Sequence, residues 1–316
     1  MWTNFYNMYD IAIILINYNS SFHTINCIES ILEKTSKNIS FQIIITDNCS
    51  EKEDYLLLKN YLDKVNHPDI ILKRSPINTG FGAGNMNGYL ISKAKYVSFI
   101  NNDTILLNDC LAIFKNQLDN NPEIGIVGGQ AYKQNGDFMI SLDHFASPTR
   151  EILGRSFLEF INKKKHPKRK KKYQNPIQVN FIPGSFMFLR CEDFDFIGGF
   201  DPHIFLYYEE TDLCLRLLKT GKTAYLVPEG EFIHLHGAST QKSLAIKKEL
   251  KLSLLYIIRK HYGYWSHKLV LFYLVINYFF SSIIKPKNWS LFMLLISGAP
   301  LSKSLRNLQK IQFYHE

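Results

Sequence analysis

Short apolar runs that each end in a polar cluster are the feature that most constrains the fold of this chain. Ile11–Ile16, Phe41–Ile45 and Val97–Ile100 are three such runs. Their length and their Ile and Val content are typical of buried strands, and stretches with helical periodicity separate them. Strands that alternate with helices predict βαβ units, so we expect an α/β fold with a mostly parallel central sheet flanked by helices.

The polar clusters predict a binding site at one edge of that sheet. Open α/β sheets bind ligands beyond the carboxyl ends of their strands, where Asn17, Asp47 and Asn101-Asn102-Asp103 would lie. A carboxylate there suits a divalent cation and a phosphate. Asp47 could accept a hydrogen bond from a pyrimidine N3–H, and Ser50 could help to fix the nucleoside. The alternative is that these residues only form turns and helix N-caps.

A Gly- and Asn-rich segment follows the third predicted strand. Residues 78–85 contain a G-x-G-x-G pattern, whose last interval is too short for a dinucleotide-binding fingerprint. We expect a loop over residues 77–88 that runs into a helix at about 84–94. Its glycines would let the backbone approach a diphosphate, and the N-terminus of the helix would add positive potential.

Two later segments carry acidic and imidazole groups. Tyr208-Glu209-Glu210-Thr211-Asp212 opens a predicted helix that runs through Leu217, and a general base could come from this cluster. Ala224–Val227 is predicted as the last strand, and Phe232-Ile-His-Leu-His-Gly-Ala-Ser-Thr240 follows it.

The positive charge of the chain is concentrated in one block. The net charge is +9, and residues 163–172 supply eight cationic side chains. We expect an insertion or flexible loop between about 140 and 178, with this block able to meet an anionic surface. The five cysteines form no C-x-x-C pair, and the first ten residues lack a basic n-region. Reduced thiols and no signal peptide are therefore expected.

The C-terminal part differs in kind from the rest. Residues 244–265 predict an amphipathic helix, residues 269–284 are uncharged, and residues 289–301 form a second apolar stretch. Sixteen residues fall short of the roughly 20 needed for a full span, so we expect an interfacial or re-entrant element. A pair of core helices and a true span are the alternatives. The chain is accordingly divided into a catalytic part, 1–240, and a tail of apolar helices, 241–316.

Taken together in this order, the motifs resemble those of inverting sugar-nucleotide glycosyltransferases of family two, which have the GT-A fold. The most specific piece is Gly198–Arg216, which is similar to the F-D-x-x-F-F-x-Y-x-E-D-x-D-L-x-x-R segment of the rhamnosyltransferase-like subgroup. The resemblance covers about residues 10–240.

The resemblance implies a role for each matching residue. Glu210 occupies the general-base position, where Asp is usual, and Glu209 is the fallback. Asp47 would recognise the base, and Asp103 would bind Mg²⁺ or Mn²⁺ on the diphosphate. His234 would complete the metal shell, with His236 as the competing candidate. The remaining nucleotide-binding positions are Asn17, Ser50, Asn78, Gly82, Asn85, Asn101 and Asn102.

The implied activity is transfer of rhamnose from dTDP-rhamnose, or of another hexose from a UDP-sugar, to a lipid-linked glycan acceptor. The product would belong to a surface polysaccharide such as O-antigen or capsule. The basic block and the apolar tail would hold the protein on the cytoplasmic face of an anionic membrane. The alternative is a basic nucleic-acid- or lipid-binding protein on a Rossmann-like core. Because no aromatic residues interleave the lysines, we do not expect a nucleic-acid partner.

Overall fold

The computed structural model describes residues 8–235 and 243–312, and a single sheet organises the first of these ranges. Its strands are β1 Tyr9–Asn17, β2 Phe41–Asp47, β3 Ile70–Arg74, β4 Ala94–Asn101, β5 Thr104–Leu106, β6 Ile124–Tyr132, β7 Ile177–Val179, β8 Phe186–Arg190 and β9 Thr223–His234.

The sheet is parallel in its first half and mixed in its second. The strand order is β3-β2-β1-β4-β8-β6-β9-β5, and β7 pairs with β9 outside this path. The four strands from β3 to β4 are all parallel, which confirms the predicted βαβ units. β8 then runs antiparallel to both β4 and β6, an arrangement that the sequence pattern did not predict.

Helices cover both faces of the sheet. Neighbouring residues of β1 point to opposite faces, so Ile13 belongs to a core with Phe114 and Ile14 to a core with Phe99. The helices are α1 Ser21–Lys34, α2 Lys52–Val65, α3 Gly80–Tyr89, α4 Cys110–Asn120, α5 Pro148–Leu153, α6 Arg155–Ile161, α7 Cys191–Phe196, α8 Glu209–Lys219, α9 Leu244–Ile284 and α10 Trp289–Ile296.

Three element predictions were wrong. The glycine-rich segment is not a loop through residue 88, because α3 already begins at Gly80 and carries its glycines against the sheet. The stretch from 140 to 178 contains α5, α6 and β7, so it is not one continuous loop, and the basic block lies outside these three elements. The predicted last strand does not stop at Val227, since β9 continues to His234.

The glycines of α3 allow the helix to lie close to the sheet, which gives a first prediction. A Cβ at Gly88 would lie 2.7 Å from Ile14 Cγ2 and 3.2 Å from Thr46 Oγ1. Gly88→Ala is therefore expected to destabilise the protein by about 1–3 kcal/mol through overpacking. Alanine would otherwise gain about 1 kcal/mol over glycine in a helix. Urea denaturation measures the change, with Asn87→Ala in the same helix as control. A stabilised Gly88→Ala variant would contradict the packing of α3.

The C-terminal helices begin on the body of the protein and end with exposed apolar side chains. Residues 252–258 of α9 pack against Ala146 and Ile204, and Ser253 donates to the Leu206 carbonyl at 2.8 Å. The helix is kinked at Gly263, whose φ is 85°. Beyond the kink, large apolar residues are exposed, among them Trp265, Phe272, Phe280 and Ile284.

Helix α9 has the length and apolar composition needed to cross a membrane, the one such helix within the described ranges. Only 28% of its most apolar window is buried against the rest of the protein.

Polar contacts anchor α9 to the body of the protein. Lys260 Nζ lies 2.6 Å from both Asp201 Oδ2 and Asp212 Oδ1, and His261 Nε2 lies 2.7 Å from Asp212 Oδ1. Burial alone would raise the pKa of Asp212, but His261, Arg216 and Lys260 together hold it below the ordinary value. Asp212 lies on α8, the helix that also carries the acidic residues of the predicted site. The tail is thus fixed directly to that helix.

Candidate active site

The ends of β1 and β2 meet in a buried polar network, as the sequence predicted. Asn17 pairs with Asp47 in the parallel register, and its Nδ2 lies 3.0 Å from Asp47 Oδ1 and 3.1 Å from Ser50 Oγ. The Arg74 guanidinium lies 3.4 Å from Asp47 Oδ2 and over the Tyr55 ring, a partner that the sequence did not reveal. The Asp47 side chain has no exposed surface, so this network holds it in a single orientation.

The segment between β3 and α3 is joined to the end of β2. Asn48 donates through Nδ2 to Asn78 Oδ1 at 3.0 Å, and its Oδ1 accepts from the Thr79 backbone N–H at 2.9 Å. Asn85 is buried and donates to the Phe81 carbonyl at 3.1 Å. Gly82 faces inward too, because a Cβ there would lie 3.5 Å from Glu209 Cγ. Helix α3 therefore separates the buried β2 network from the acidic helix α8.

The polar cluster after β4 faces a histidine from β9. β5 pairs antiparallel with β9, which sets Thr104 opposite His234. His234 Nε2 consequently lies 3.2 Å from Asp103 Oδ1 and 3.5 Å from Asn101 Nδ2. Asn102 turns the other way and donates to Ser20 Oγ and Thr24 Oγ1 at 2.7 and 2.8 Å. His236, the competing candidate, lies outside the described residues.

The donor groups of Asp103 and His234 suit a divalent cation. Asp103 Oδ1 is buried and accepts no hydrogen bond, although it lies 3.2 Å from His234 Nε2. A buried carboxylate oxygen usually has a partner, so this one is available to coordinate a cation. A carboxylate oxygen, an imidazole nitrogen and the neighbouring Asn101 amide are groups that Mn²⁺ and Mg²⁺ accept. Within residues 8–235 and 243–312, no group of three or more His, Cys, Asp and Glu side chains gathers.

The two acidic residues at the start of α8 point to different places. Glu209 is buried beside Gly82 and Phe200, and its Oε1 has no hydrogen-bond partner. Glu210 is half-buried and lines a cavity of about 270 Å³. Burial raises the pKa of both carboxyl groups above the ordinary 4.5, and the charge of Glu210 raises the pKa of Glu209 further. Of the pair, only Glu210 is placed to meet a ligand in the cavity.

The backbone just before α8 is strained, and this conformation sets the direction of the first turn of α8. Tyr207 and Tyr208 both have left-handed φ values, of 72° and 71°, although neither is glycine. Such residues cost free energy and are found where a site must be held in one geometry. They turn the chain so that Tyr207, Tyr208 and Glu210 all line the same cavity.

A short segment before β8 joins the acidic helix to the cation-binding candidates. The Gly184 backbone N–H lies near the Glu210 carboxylate, and its influence lowers the pKa of that group against the larger effect of burial, which raises it. The next residue, Ser185, accepts through its carbonyl from the Asn101 backbone N–H at 3.0 Å and from Thr104 Oγ1 at 3.3 Å. Two consecutive residues therefore contact both halves of the predicted site, and Glu210 lies close to the turn that carries Asp103.

The sequence missed the basic side of the cavity. Arg150 and Arg155, which come from α5 and α6, line it together with Asp143. Arg150 is buried and donates to the His144 carbonyl at 2.8 Å, and its guanidinium lies over the Tyr208 ring. Burial raises the pKa of Asp143, yet Arg155 and Arg169 outweigh that effect and lower it overall. Glu210 thus faces a cavity that contains both signs of charge.

Comparison with known proteins defines the class of this fold and site. The family model described as glycosyl transferase family 2 matches residues 12–198, more than half of the chain. The chain belongs to this family, and it is a glycosyltransferase with a GT-A fold. The family favours the enzyme over the alternative of a nucleic-acid- or lipid-binding protein.

Individual relatives indicate which subgroup of this glycosyltransferase family the chain resembles. The chain is 30% identical over 254 residues to the rhamnosyltransferase WbbL of Escherichia coli (strain K12), covering 73% of this chain and 89% of the relative. It is 33% identical over 89 residues, 28% of this chain and 29% of the relative, to N-acetylglucosaminyl-diphospho-decaprenol L-rhamnosyltransferase of Mycobacterium tuberculosis. These relatives confirm the rhamnosyltransferase-like subgroup.

A solved structure shares the fold. The crystal structure of GalNAc-T7 with UDP, GalNAc and Mn²⁺ superposes with a TM-score of 0.60 at 13% identity. The match covers 92% of this chain and 56% of that chain, so the present protein spans little more than half of that neighbour.

Proposed function

We propose that this protein transfers rhamnose from dTDP-rhamnose to a hydroxyl of a glycan acceptor, by a single displacement that inverts the anomeric carbon. The observation that carries the proposal is the Gly184–Ser185 segment, which contacts both Glu210 and the turn that carries Asp103. A base and a leaving-group site must lie close together for such a reaction. Glu209 is turned toward α3, and Asp143, the other carboxylate that lines the cavity, is paired with Arg155 and Arg169, so Glu210 is the carboxylate placed to act as a base.

Glu210 takes the proton of the acceptor hydroxyl as the new C–O bond forms. A carboxyl group whose pKa is raised by burial binds that proton more readily than an exposed one. Tyr207, Tyr208 and Leu250 line the same cavity as Glu210 and would contact an acceptor bound there.

Asp103 and His234 would hold the divalent cation, with the Asn101 amide beside them. When bound, the cation supplies Lewis-acid neutralisation of the charge that develops on the departing diphosphate. Asn102 keeps the turn in place through its bonds to Ser20 and Thr24 on the α1 side. GalNAc-T7, which shares the fold, was crystallised with Mn²⁺ and UDP, and this supports a cation and a pyrimidine nucleotide as ligands of the present protein.

The nucleotide would lie along the ends of β1 and β2 and the start of α3. Asp47 would accept from the pyrimidine N3–H, which requires the Asn17–Arg74 network to open because the side chain has no exposed surface. Asn78, Gly82 and Asn85 would frame the backbone that approaches the diphosphate. Rhamnose is proposed as the sugar because the Escherichia coli and Mycobacterium tuberculosis relatives are both rhamnosyltransferases by name. A hexose from a UDP-sugar is the second choice.

The acceptor is proposed to be a lipid-linked glycan in surface polysaccharide synthesis. The name of the mycobacterial relative specifies a diphospho-decaprenol acceptor, which supports this class. The exposed apolar residues of α9 and α10, flanked by Lys268, Lys285 and Lys287, suit the interface of an anionic membrane. We accordingly propose a catalytic part, 1–240, held on the cytoplasmic face of the membrane by a tail, 241–316.

Donor binding and product stereochemistry test this proposal. With Mn²⁺ present, dTDP-rhamnose is expected to raise the melting temperature more than UDP-glucose or GDP-mannose, because a ligand stabilises the state that binds it. Transfer to a soluble glycan acceptor should yield the inverted anomer by NMR. If only a UDP-sugar raises the melting temperature, the donor is a UDP-sugar and not dTDP-rhamnose. A product with retained anomeric configuration would contradict the single displacement.

A further inference from the structure

Helix α6 presents an apolar face to solvent. Phe160 and Ile161 come three and four residues after Phe157, and the three side chains are 79%, 55% and 38% exposed, respectively. Leu158 points the other way and is buried. Single apolar side chains are common on protein surfaces, but several gathered on one exposed helix face indicate an interaction surface. Leu153, at the end of α5, is also 53% exposed and lies next to this face in the chain.

The basic block begins where α6 ends. The chain leaves the helix through a turn in which the Asn162 carbonyl accepts from the His166 backbone N–H at 2.8 Å. The lysines at 163, 164, 165, 168, 170, 171 and 172 are exposed, and within the part of the chain that the structure describes none of them forms an ion pair. Lys171 and Lys172 lie over the rings of Tyr173 and Tyr132, and the charges of the other five lysines are available to an external anionic partner.

The exposed aromatic residues of α6 and the lysines of the basic block that follows it, which form no ion pairs among the described residues, fit the surface of an anionic bilayer. The apolar side chains enter the boundary between headgroups and acyl chains, and the lysines bind the anionic headgroups. A nucleic acid would use the lysines and would leave Phe160 and Ile161 in water. Both partners would complement the positive charge, but only the lipid surface also offers an apolar layer for these side chains, so we favour the lipid surface.

Helix α6 also borders the reaction cavity. Arg155, the first residue of α6, and Arg150 of α5 line the cavity that contains Glu210. We propose that α6 and the basic block, residues 155–172, form a membrane-docking surface for anionic phospholipid, separate from α9 and α10. Docking there brings the headgroup layer beside Glu210, where a lipid-linked acceptor would present its glycan. This inference deepens the proposed function and depends on its lipid-linked acceptor.

A tryptophan reporter tests the docking in the full chain. Phe160→Trp and Phe196→Trp are a matched pair, because both phenylalanines are 79% exposed and only the first lies on the proposed surface. The natural tryptophans give both variants the same background. Phosphatidylglycerol vesicles with brominated acyl chains are expected to quench and blue-shift the added fluorescence at 160 and not at 196. Equal responses at the two positions would overturn the proposal, and so would an equal response with neutral phosphatidylcholine vesicles.

A second experiment separates this inference from the proposed function. Phe157→Ser/Phe160→Ser is expected to lower transfer to a lipid-linked acceptor in vesicles at least tenfold and to leave transfer to a soluble glycan acceptor unchanged, whereas Phe196→Ser should change neither. Unchanged transfer in vesicles would overturn the docking surface and leave the proposed function standing. If the parent protein transfers rhamnose to neither acceptor, the proposed function itself fails. Sedimentation velocity without vesicles compares the oligomeric states of the double variant and the parent protein. A difference between them would overturn the proposal of a lipid partner and show that this face is a contact between copies of the chain.

Discussion

Glu210→Gln is expected to lower kcat for sugar transfer by about 10²–10⁴-fold, the usual contribution of a positioned general base. Glutamine keeps the size of the side chain and the contact with the Gly184 N–H, but it cannot accept the proton of the acceptor hydroxyl. Donor binding should be unchanged, because Glu210 lines the cavity that we propose for the acceptor. Initial rates at saturating donor, together with calorimetric binding of dTDP, measure the two effects separately.

Glu209→Gln is the control for this experiment. Glu209 is buried beside Gly82 and Phe200, away from the cavity, so we expect a loss of less than about tenfold in kcat. If Glu209→Gln abolishes transfer while Glu210→Gln remains active, the two residues exchange roles. Comparable activity in both variants and the parent protein would remove the general base from the mechanism.

The pH dependence of stability and rate follows from the raised pKa of Glu210. The native state holds its proton more tightly than the unfolded state, so this group stabilises the fold most below the unfolded value of 4.5. That contribution is lost as the pH rises through the native pKa. Glu210→Gln should therefore be at least as stable as the parent protein at pH 8 by thermal denaturation. The value of kcat should rise with pH as Glu210 loses its proton, and the midpoint of this rise should lie above pH 4.5. Among the neighbouring charges, Asp143 raises the pKa of Glu210 and Arg150 lowers it.

The part of the fold that could be predicted from sequence is the part fixed by local pattern. Apolar runs with polar ends identify β1, β2 and β4 because each strand is buried on both faces of a parallel sheet. The start of α3 was misplaced because isolated glycines usually break helices. Here Gly82, Gly84 and Gly88 are required by contact with Phe200, Asn48 and Ile14, and such contacts do not show in the local sequence.

The candidate site was predicted where single segments carry it, and missed where distant segments meet. Asp103 and Glu210 lie in recognisable motifs, and the structure places them on either side of Gly184–Ser185. Arg150 was hidden in a stretch interpreted as an insertion. A signal was present, since Ser147-Pro148 is a typical helix start and the Ser147 hydroxyl indeed accepts from the Arg150 N–H. By contrast, antiparallel pairing of β5 with β9, which brings His234 to Asp103, has no local signal.

Asp103→Asn is expected to weaken binding of Mn²⁺ in the presence of dTDP at least tenfold and to lower transfer by about 10²–10³-fold, since Lewis-acid neutralisation is worth several kcal/mol. Asparagine has the same shape but lacks the charge of the buried, underused Oδ1. Electron paramagnetic resonance of free Mn²⁺ measures binding without reference to activity. Asp137→Asn is the control, because that carboxylate pairs with Lys133 in an exposed turn.

The same variant distinguishes a cation site from a structural ion pair. If the contact of Asp103 with His234 serves only the fold, Asp103→Asn and His234→Gln will both lower the melting temperature and leave Mn²⁺ affinity unchanged. If the pair holds a cation, His234→Gln should weaken Mn²⁺ binding less than Asp103→Asn does, because a neutral imidazole contributes no charge. Only the second result is compatible with a leaving-group site at the end of β4, since the charge of the departing diphosphate must be neutralised there.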